Sequence, residues 1–103
     1  MLVSIVVPCY NSEESVADLV YLTEEEFDRL DGYECEIILV NDYSKDRTFE
    51  VIRWCAERYP NVKGVNLAKN FGQHAAIMAG LHYVKGELVV GMDDDLQNHP
   101  SQI

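Results

Sequence analysis

Four short apolar runs, separated by segments with helical spacing, constrain the fold of this 103-residue chain more than any other feature. The runs cover residues 2–7, 36–40, 62–67 and 87–92, and three of them are nearly continuous and rich in β-branched residues. Continuous apolar runs of this length are typical of strands that are buried on both faces of a parallel sheet. We therefore expect an α/β fold with a mostly parallel sheet.

The segments between the runs carry helix signals. Asn11 stands three residues before Glu14, which resembles a capping box, and helical spacing of apolar residues then continues until Gly32. Asp46 is expected to cap a second helix, which Pro60 ends. The first two helices are thus predicted between the first three strands.

A third helix is predicted over residues 73–84, with Ile77, Leu81 and Val84 buried against the sheet. The predicted order is β-α-β-α-β-α-β in one continuous unit with right-handed crossovers. Residues 98–103 have the pattern of the first turn of a further helix, with Pro100 near its start. We expect the chain to be the N-terminal part of a larger domain that is truncated at its C-terminus.

Composition excludes several functions. Eighteen acidic and eight basic residues give a formal charge of −10, which opposes binding to nucleic acid or to an anionic membrane surface. Three widely spaced cysteines form no C-x-x-C pair, so neither a disulfide framework nor a zinc site is indicated, and a cytoplasmic location fits best. The first apolar run is too short to span a membrane.

The residues most able to carry chemistry follow the predicted strands, where ligands of open parallel sheets bind. The chain lacks the glycine-rich dinucleotide motif and the P-loop motif, so phosphates must be held in another way. Asp93, Asp94 and Asp95 stand together after the fourth run, and in an extended strand Asp93, Asp95 and Gln97 share one face. Such a set suits Mg²⁺ or Mn²⁺ with phosphate and water ligands, while the alternative is a solvated acidic turn.

Four strings, in order, extend this interpretation. They are Ile5-Val-Val-Pro-Cys-Tyr-Asn11, Val40-Asn-Asp-Tyr-Ser-Lys-Asp-Arg-Thr48, Asn70-Phe-Gly-Gln-His-Ala-Ala-Ile-Met-Ala-Gly-Leu81 and Asp93-Asp-Asp-Leu-Gln97. Together they resemble the nucleotide-binding half of a family 2 inverting glycosyltransferase with the A-type fold, and most of all its polyprenyl-phosphate branch. The resemblance implies a three-layer, Rossmann-like arrangement over residues 1–103.

The resemblance also implies residue roles. Pro8 and Tyr10 would line the nucleotide base, and Asp42 would accept a hydrogen bond from the base ring. Asp93 and Asp95 would hold the ribose and the metal-diphosphate group, with Gln97 assisting at the metal. Asp94 is assigned to the nucleotide site with them.

Three positions depart from the family pattern. Ser12 stands where the family usually has glutamate, so Glu13 or Glu14 would have to supply that carboxylate. Tyr43 replaces a usual glycine, which would strain the turn or change its geometry if that position needs positive φ. Asp94 replaces a usual alanine, and its charge would either strengthen metal attraction or lie in solvent.

The function implied is transfer of a sugar from a UDP- or GDP-linked donor, with inversion, to a polyprenyl phosphate or glycan acceptor. No catalytic base is identified, because the acceptor half and any membrane helices are expected downstream, where they would associate the full-length protein with the cytoplasmic face of a membrane. The isolated chain is expected to self-associate and to be inactive. The alternatives are a nucleotide- and metal-binding module without turnover, or a Mg²⁺-dependent phosphohydrolase-like domain.

Overall fold

The computed structural model describes residues 1–94 and has the predicted order of strands and helices. The elements are β1 Leu2–Cys9, α1 Val16–Asp28, β2 Glu34–Asn41, α2 Thr48–Arg58, β3 Val62–Asn66, α3 Gln73–Leu81 and β4 Leu88–Gly91. The predictions made for Asp95, for Gln97 and for a helical turn at 98–103 lie outside the described residues.

The four strands form one parallel sheet in the order β3-β2-β1-β4. Strand β1 lies at the centre, where Ile5 is paired with Ile37 of β2 on one side and with Val90 of β4 on the other. Strands β1 to β3 are added in one direction across the sheet, and β4 is then added on the other side of β1, so the strand order reverses between β3 and β4. In sheets of this kind, ligands bind beyond the carboxyl ends of the two strands that flank the reversal, here β1 and β4.

Helices cover both faces of the sheet, which confirms the three-layer α/β prediction. Residues of α1 and α2 pack with one set of strand residues, as Leu19 and Ile52 do with Ile37. On the opposite face, Ala76 of α3 packs with Val6 and with neighbouring residues of β2. The strand residues alternate between the two cores because successive side chains of a strand point to opposite faces.

Helix α3 is buried against the sheet at residues other than those predicted, although Val84, beyond the end of the helix, is half-buried against the same core. Its buried residues are Ala76 and Gly80, whereas Leu81 is 37% exposed and Ile77 is only half-buried. A Cβ on Gly80 would lie 2.5 Å from Cγ1 of Val6, so the helix backbone approaches the sheet too closely for larger side chains. The prediction that Leu81 is buried is therefore wrong, and the helix ends there instead of continuing to residue 84.

The capping box predicted at the start of the first helix is also wrong. Asn11 has φ of +49°, and its Oδ1 accepts a hydrogen bond from the backbone N–H of Lys45 at 2.9 Å. Helix α1 begins later, at Val16, directly after Ser15. Asn11 belongs instead to the loop between β1 and α1, and its side chain bonds this loop to the loop after β2.

All three cysteines are free and buried, in agreement with the absence of a disulfide framework. Burial, reinforced by the carboxylate of Glu24, raises the pKa of the Cys35 thiol to about 12. Burial likewise raises the pKa of the Cys9 and Cys55 thiols. The thiols therefore remain protonated at neutral pH and contribute to the core as small apolar groups.

Strand β4 is the edge of the sheet next to β1, and Leu88 and Val89 are 50% and 41% exposed there. An edge strand with exposed apolar side chains favours pairing between chains. Self-association stays a prediction. Within residues 1–94, no helix has the length and apolar character needed to cross a membrane.

A buried carboxylate fixes the connection between α3 and β4. Glu36 is 6% exposed and accepts hydrogen bonds from the Ser4 hydroxyl and from the backbone N–H of Lys85, while the Nζ of Lys63 lies 3.5 Å away. The Ser4 hydroxyl in turn accepts the N–H of Gly86 at 2.7 Å. Burial would raise the pKa of Glu36, but the hydrogen bonds and the Lys63 charge outweigh it and hold the pKa below its usual range.

Replacing this carboxylate should lower stability in a pH-dependent way. We expect Glu36→Gln to reduce the free energy of unfolding at pH 7 by about 1–3 kcal/mol, because buried donors lose a charged acceptor. A depressed folded-state pKa contributes stability above the unfolded value of about 4.3 and loses it as the pH falls through the folded value. Urea titrations at pH 7 and below pH 4 should therefore show the difference shrinking in acid.

Glu57→Gln on the exposed face of α2 is the matched control, and its effect should be small at both pH values. Equal losses for Glu36→Gln at neutral and acid pH would contradict this role of the charge.

Candidate functional site

A cavity of about 530 Å³ opens at the carboxyl ends of β1 and β4, beside the start of α3. Its volume is within the range of small-molecule sites. The lining residues are Pro8, Tyr10, Asp42, Asn70, Gly72, Gln73, Asp93 and Asp94. The structure thus brings together all five residues predicted for the nucleotide site, and their roles in binding stay predictions.

Asp94 ties the end of β4 to the loop after β1. Its Oδ2 accepts the backbone N–H of Tyr10 at 2.9 Å, and its carbonyl oxygen accepts the hydroxyl of Ser15 at 2.6 Å. Asp94 is half-buried. The expectation that its charge either strengthens metal attraction or lies in solvent did not include the hydrogen bond from Tyr10. These bonds fix the relative positions of two strand ends that line the cavity.

Asp42 anchors the loop before α3. The residue is 4% exposed, and its Oδ1 and Oδ2 accept the backbone N–H groups of Phe71 and Gly72 at 2.9 and 3.0 Å. Each carboxylate oxygen can accept more than one hydrogen bond, and Asp42 also lines the cavity. The same carboxylate can therefore support the loop and face a ligand.

The turn after Asp42 retains a left-handed residue although a tyrosine stands there. Tyr43 has φ of +58° and an exposed side chain, a conformation that costs a residue with a Cβ about 1–2 kcal/mol. The side chain of Asn41 holds the turn, because its Oδ1 accepts the N–H of Ser44 at 3.2 Å. Tyr43 therefore takes the left-handed conformation at a cost in strain, which is the first of the two outcomes expected from the sequence.

The loop before α3 connects Asp42 to Asp93. Gly72 has φ of +92°, and its N–H is shared between Asp42 and the Oδ1 of Asn70, at 3.1 Å from the latter. The Nε2 of Gln73 then donates to Oδ1 of Asp93 at 3.2 Å. Sequence reasoning did not assign Gly72 or Gln73, although their place between a strand end and a helix start was the available signal.

The loop after β1 is held by side chains of the loop after β2. Three successive backbone N–H groups, those of residues 11–13, donate to side-chain oxygens across the gap between the loops. The acceptors are Ser44 Oγ for Asn11, Thr48 Oγ1 for Ser12 and Asp46 Oδ2 for Glu13, at 3.0, 2.8 and 3.3 Å. The position of Tyr10 at the cavity thus depends on the second loop.

Asp46 also accepts the backbone N–H of Thr48 at 2.9 Å, which closes the turn that leads into α2. The N-cap position of α2 is Arg47 and makes no side-chain cap hydrogen bond, so the prediction that Asp46 caps this helix is displaced by one residue. Burial would raise the pKa of Asp46, but these hydrogen bonds outweigh it and hold the pKa below its usual range. Asp46 therefore remains ionised at neutral pH.

A second cavity of about 460 Å³ adjoins the first and shares Tyr10 and Asp94 with it. Glu13 and Glu14, the candidates for the carboxylate that Ser12 lacks, line this second cavity. They therefore lie next to the nucleotide site predicted from the sequence but are not among the residues that line it.

The acidic residues at the end of β4 provide the donor types that a hard cation needs. Asp93 contacts Gln73 of α3, whereas Asp94 contacts the loop after β1, so their side chains diverge as strand geometry predicts. Over residues 1–94, no three carboxylate, histidine or cysteine side chains come together as a metal cluster. One or two carboxylates, with water and phosphate oxygens as the remaining ligands, suit Mg²⁺ or Mn²⁺.

Comparison with known proteins finds a match over residues 4–103 to the family described as Glycosyl transferase family 2. The chain is 47% identical over 103 residues to an undecaprenyl-phosphate 4-deoxy-4-formamido-L-arabinose transferase of Pseudomonas aeruginosa, with 99% of this chain and 30% of the relative covered. The chain spans about 30% of the length of the curated relatives that it matches first.

Solved structures share the fold. A mannosyltransferase of Pyrobaculum calidifontis in complex with GDP-Man and Mn²⁺ matches with a TM-score of 0.78 and 27% identity, over 90% of this chain and 27% of that one. Staphylococcus aureus TarS 1-349 in complex with UDP-GlcNAc matches with a TM-score of 0.77 and 29% identity, over 92% of this chain and 27% of that one. The fold is therefore the glycosyltransferase A-type.

The contacts between the two loops predict a specific cost for removing one hydroxyl. Thr48→Val leaves the N–H of Ser12 without its acceptor and removes the hydroxyl that donates to Asp46, so we expect the free energy of unfolding to fall by about 1–3 kcal/mol. Thr23→Val is the matched control, because the buried Thr23 hydroxyl donates to the carbonyl of Leu19 within α1 and accepts no backbone N–H in the described contacts. Chemical denaturation of both variants should separate them, and equal losses would contradict the account.

Proposed function

Because the chain belongs to glycosyl transferase family 2, we propose that its cavity binds the nucleoside diphosphate part of a UDP- or GDP-linked sugar, together with Mg²⁺ or Mn²⁺. The observation that supports this most is the convergence of Tyr10, Asp42 and Asp93 on one cavity at the reversal of strand order. Tyr10 provides a wall for the base, and the buried carboxylate of Asp42 provides an acceptor for the N–H of the base ring. Asp93, which follows β4, provides a carboxylate for the ribose or the metal.

The base lies against Pro8 and Tyr10 in this proposal. Pro8 is buried at the end of β1, and Tyr10 is 46% exposed, so its ring is accessible to a ligand. Asp42 accepts a hydrogen bond from the base ring with the capacity that its bonds to the loop leave unused. Buried acceptors of this kind discriminate between bases, because an unmatched base leaves part of the hydrogen-bonding capacity of the carboxylate unused and shielded from water.

The diphosphate lies toward the end of β4. Asp93 would contact the ribose and the cation, and Asp95 and Gln97 are proposed to complete the metal site with it. A divalent cation bound there would neutralise charge on the departing diphosphate. The acidic character of this end makes a cation necessary, since the chain carries a formal charge of −10 and carboxylates repel phosphate.

The transfer that we propose runs with inversion to a polyprenyl phosphate, and a glycan hydroxyl is the alternative acceptor. The relatives' name, which includes undecaprenyl phosphate, supports the first. A phosphate oxygen is already anionic and needs no strong general base, whereas a sugar hydroxyl does. A lipid acceptor would place the full-length protein at the cytoplasmic face of a membrane.

A second candidate is a nucleotide- and metal-binding unit without turnover when the chain stands alone. The chain covers about 30% of the relatives' length, and in-line attack requires an acceptor held against the sugar. Binding with no transfer by this chain is the outcome that distinguishes this candidate.

Calorimetric titration tests the proposal. UDP or GDP should bind the 103-residue chain more tightly with Mn²⁺ than with EDTA. Asp42→Asn should weaken both the diphosphate and the plain nucleoside by roughly ten- to a hundredfold, the equivalent of about 1.5–3 kcal/mol for a contact to a charged group. Asp95→Asn should remove the Mn²⁺ enhancement and leave the nucleoside affinity nearly unchanged.

Asp18→Asn on the exposed face of α1 is the control for loss of one negative charge, and it should change affinity little. An affinity that is the same in Mn²⁺ and EDTA would reject the metal site. Unchanged base discrimination in Asp42→Asn would show that this carboxylate supports only the loop.

A further inference from the structure

We propose, building on the function above, that Gln73 is a positioning residue that orients the carboxylate of Asp93 for the metal-diphosphate group. Gln73 is the first residue of α3 and lines the same cavity as Asp93. Its Nε2 donates to Oδ1 of Asp93 at 3.2 Å, which joins α3 to the end of β4 across the cavity.

The start of α3 is itself fixed, so Gln73 is a stable donor. The two N–H groups just before it, those of Phe71 and Gly72, are held by the carboxylate of Asp42. Gly72 supplies a left-handed turn at φ of +92°, directly before the helix. The side chain of Gln73, at the first position of α3, is thereby held where it donates to Asp93, which follows β4.

An amide is well suited to this task. It donates a hydrogen bond without adding positive charge, so Asp93 is steadied and keeps its full charge for a cation. The adjacent Asp94 has its own anchor, the N–H of Tyr10, and diverges from Asp93. Partners that orient metal-binding carboxylates in this way typically change metal affinity or activity by 10–100-fold when they are lost.

A double-mutant cycle between Gln73 and Asp93 tests the proposal, with the affinity of the chain for UDP measured by calorimetry in Mn²⁺ and in EDTA. We expect Gln73→Ala to weaken UDP binding about tenfold in Mn²⁺ and less than about twofold in EDTA. In an Asp93→Ala background the same change should have almost no effect, because the two residues act as one unit.

Two further variants separate positioning from folding. Gln73→Leu keeps a side chain of similar size but cannot donate to Asp93, so it should weaken UDP binding in Mn²⁺ about as much as Gln73→Ala does. His74→Ala, at the next and exposed position of α3, should bind UDP like the wild type. The Mn²⁺ electron paramagnetic resonance spectrum should show less bound metal for both Gln73 variants at equal UDP.

The inference would be overturned if the losses of UDP affinity in Gln73→Ala and Asp93→Ala simply multiplied in the double variant. It would also be overturned if Asp93→Ala weakened UDP binding while Gln73→Ala bound UDP like the wild type. Both results leave the proposed function standing. Failure of the wild-type chain to bind either UDP or GDP would instead reject the proposed function, and the inference with it.

Discussion

The central position of β1 is the constraint on which the site depends. Because β1 pairs with β2 on one side and β4 on the other, the chain must reverse direction after β3, and α3 must cross the opposite face of the sheet. That reversal leaves the ends of β1 and β4 side by side without a helix between them. The cavity opens at this gap, where Tyr10, Asp93 and Asp94 line it, and Asp42 lines it from the end of β2.

Most polar residues around the gap are bonded to one another and not directed at a ligand. Ser44, Asp46 and Thr48 take up backbone N–H groups of the loop after β1, which would otherwise need solvent or a bound anion. Asp94 joins the strand ends, and Asp42 holds the loop before α3. Most of the polar residues in the loops after β1 and β2 can therefore serve to hold a few ligand-facing groups in place.

The sequence was sufficient for the order of strands and helices along the chain and for the grouping of the strand-end residues, because continuous β-branched runs and parallel connections leave few alternatives. It did not predict the order of the strands within the sheet, β3-β2-β1-β4. Predictions from local residue patterns were less accurate than the prediction of the element order. The Asn11 capping box failed because a loop-to-loop contact competes for Asn11, and Leu81 was misplaced because Gly80 lets α3 approach the sheet closely. The contacts of Gln73 and Asp94 depend on tertiary approach, which spacing along the chain does not encode.

The central claim is that a cation and a nucleoside diphosphate share the gap between β1 and β4. Amide NMR spectra of the ¹⁵N-labelled chain with UDP or GDP and substoichiometric Mn²⁺ test it most directly, because the paramagnetic ion broadens nearby signals. Broadening should be strongest at residues 8–12, 42, 70–74 and 93–97, and weakest at residues 31–35 and 84–87 at the opposite end of the sheet. Broadening centred on the groove around Trp54 between α1 and α2, or spread evenly over the chain, would contradict the account.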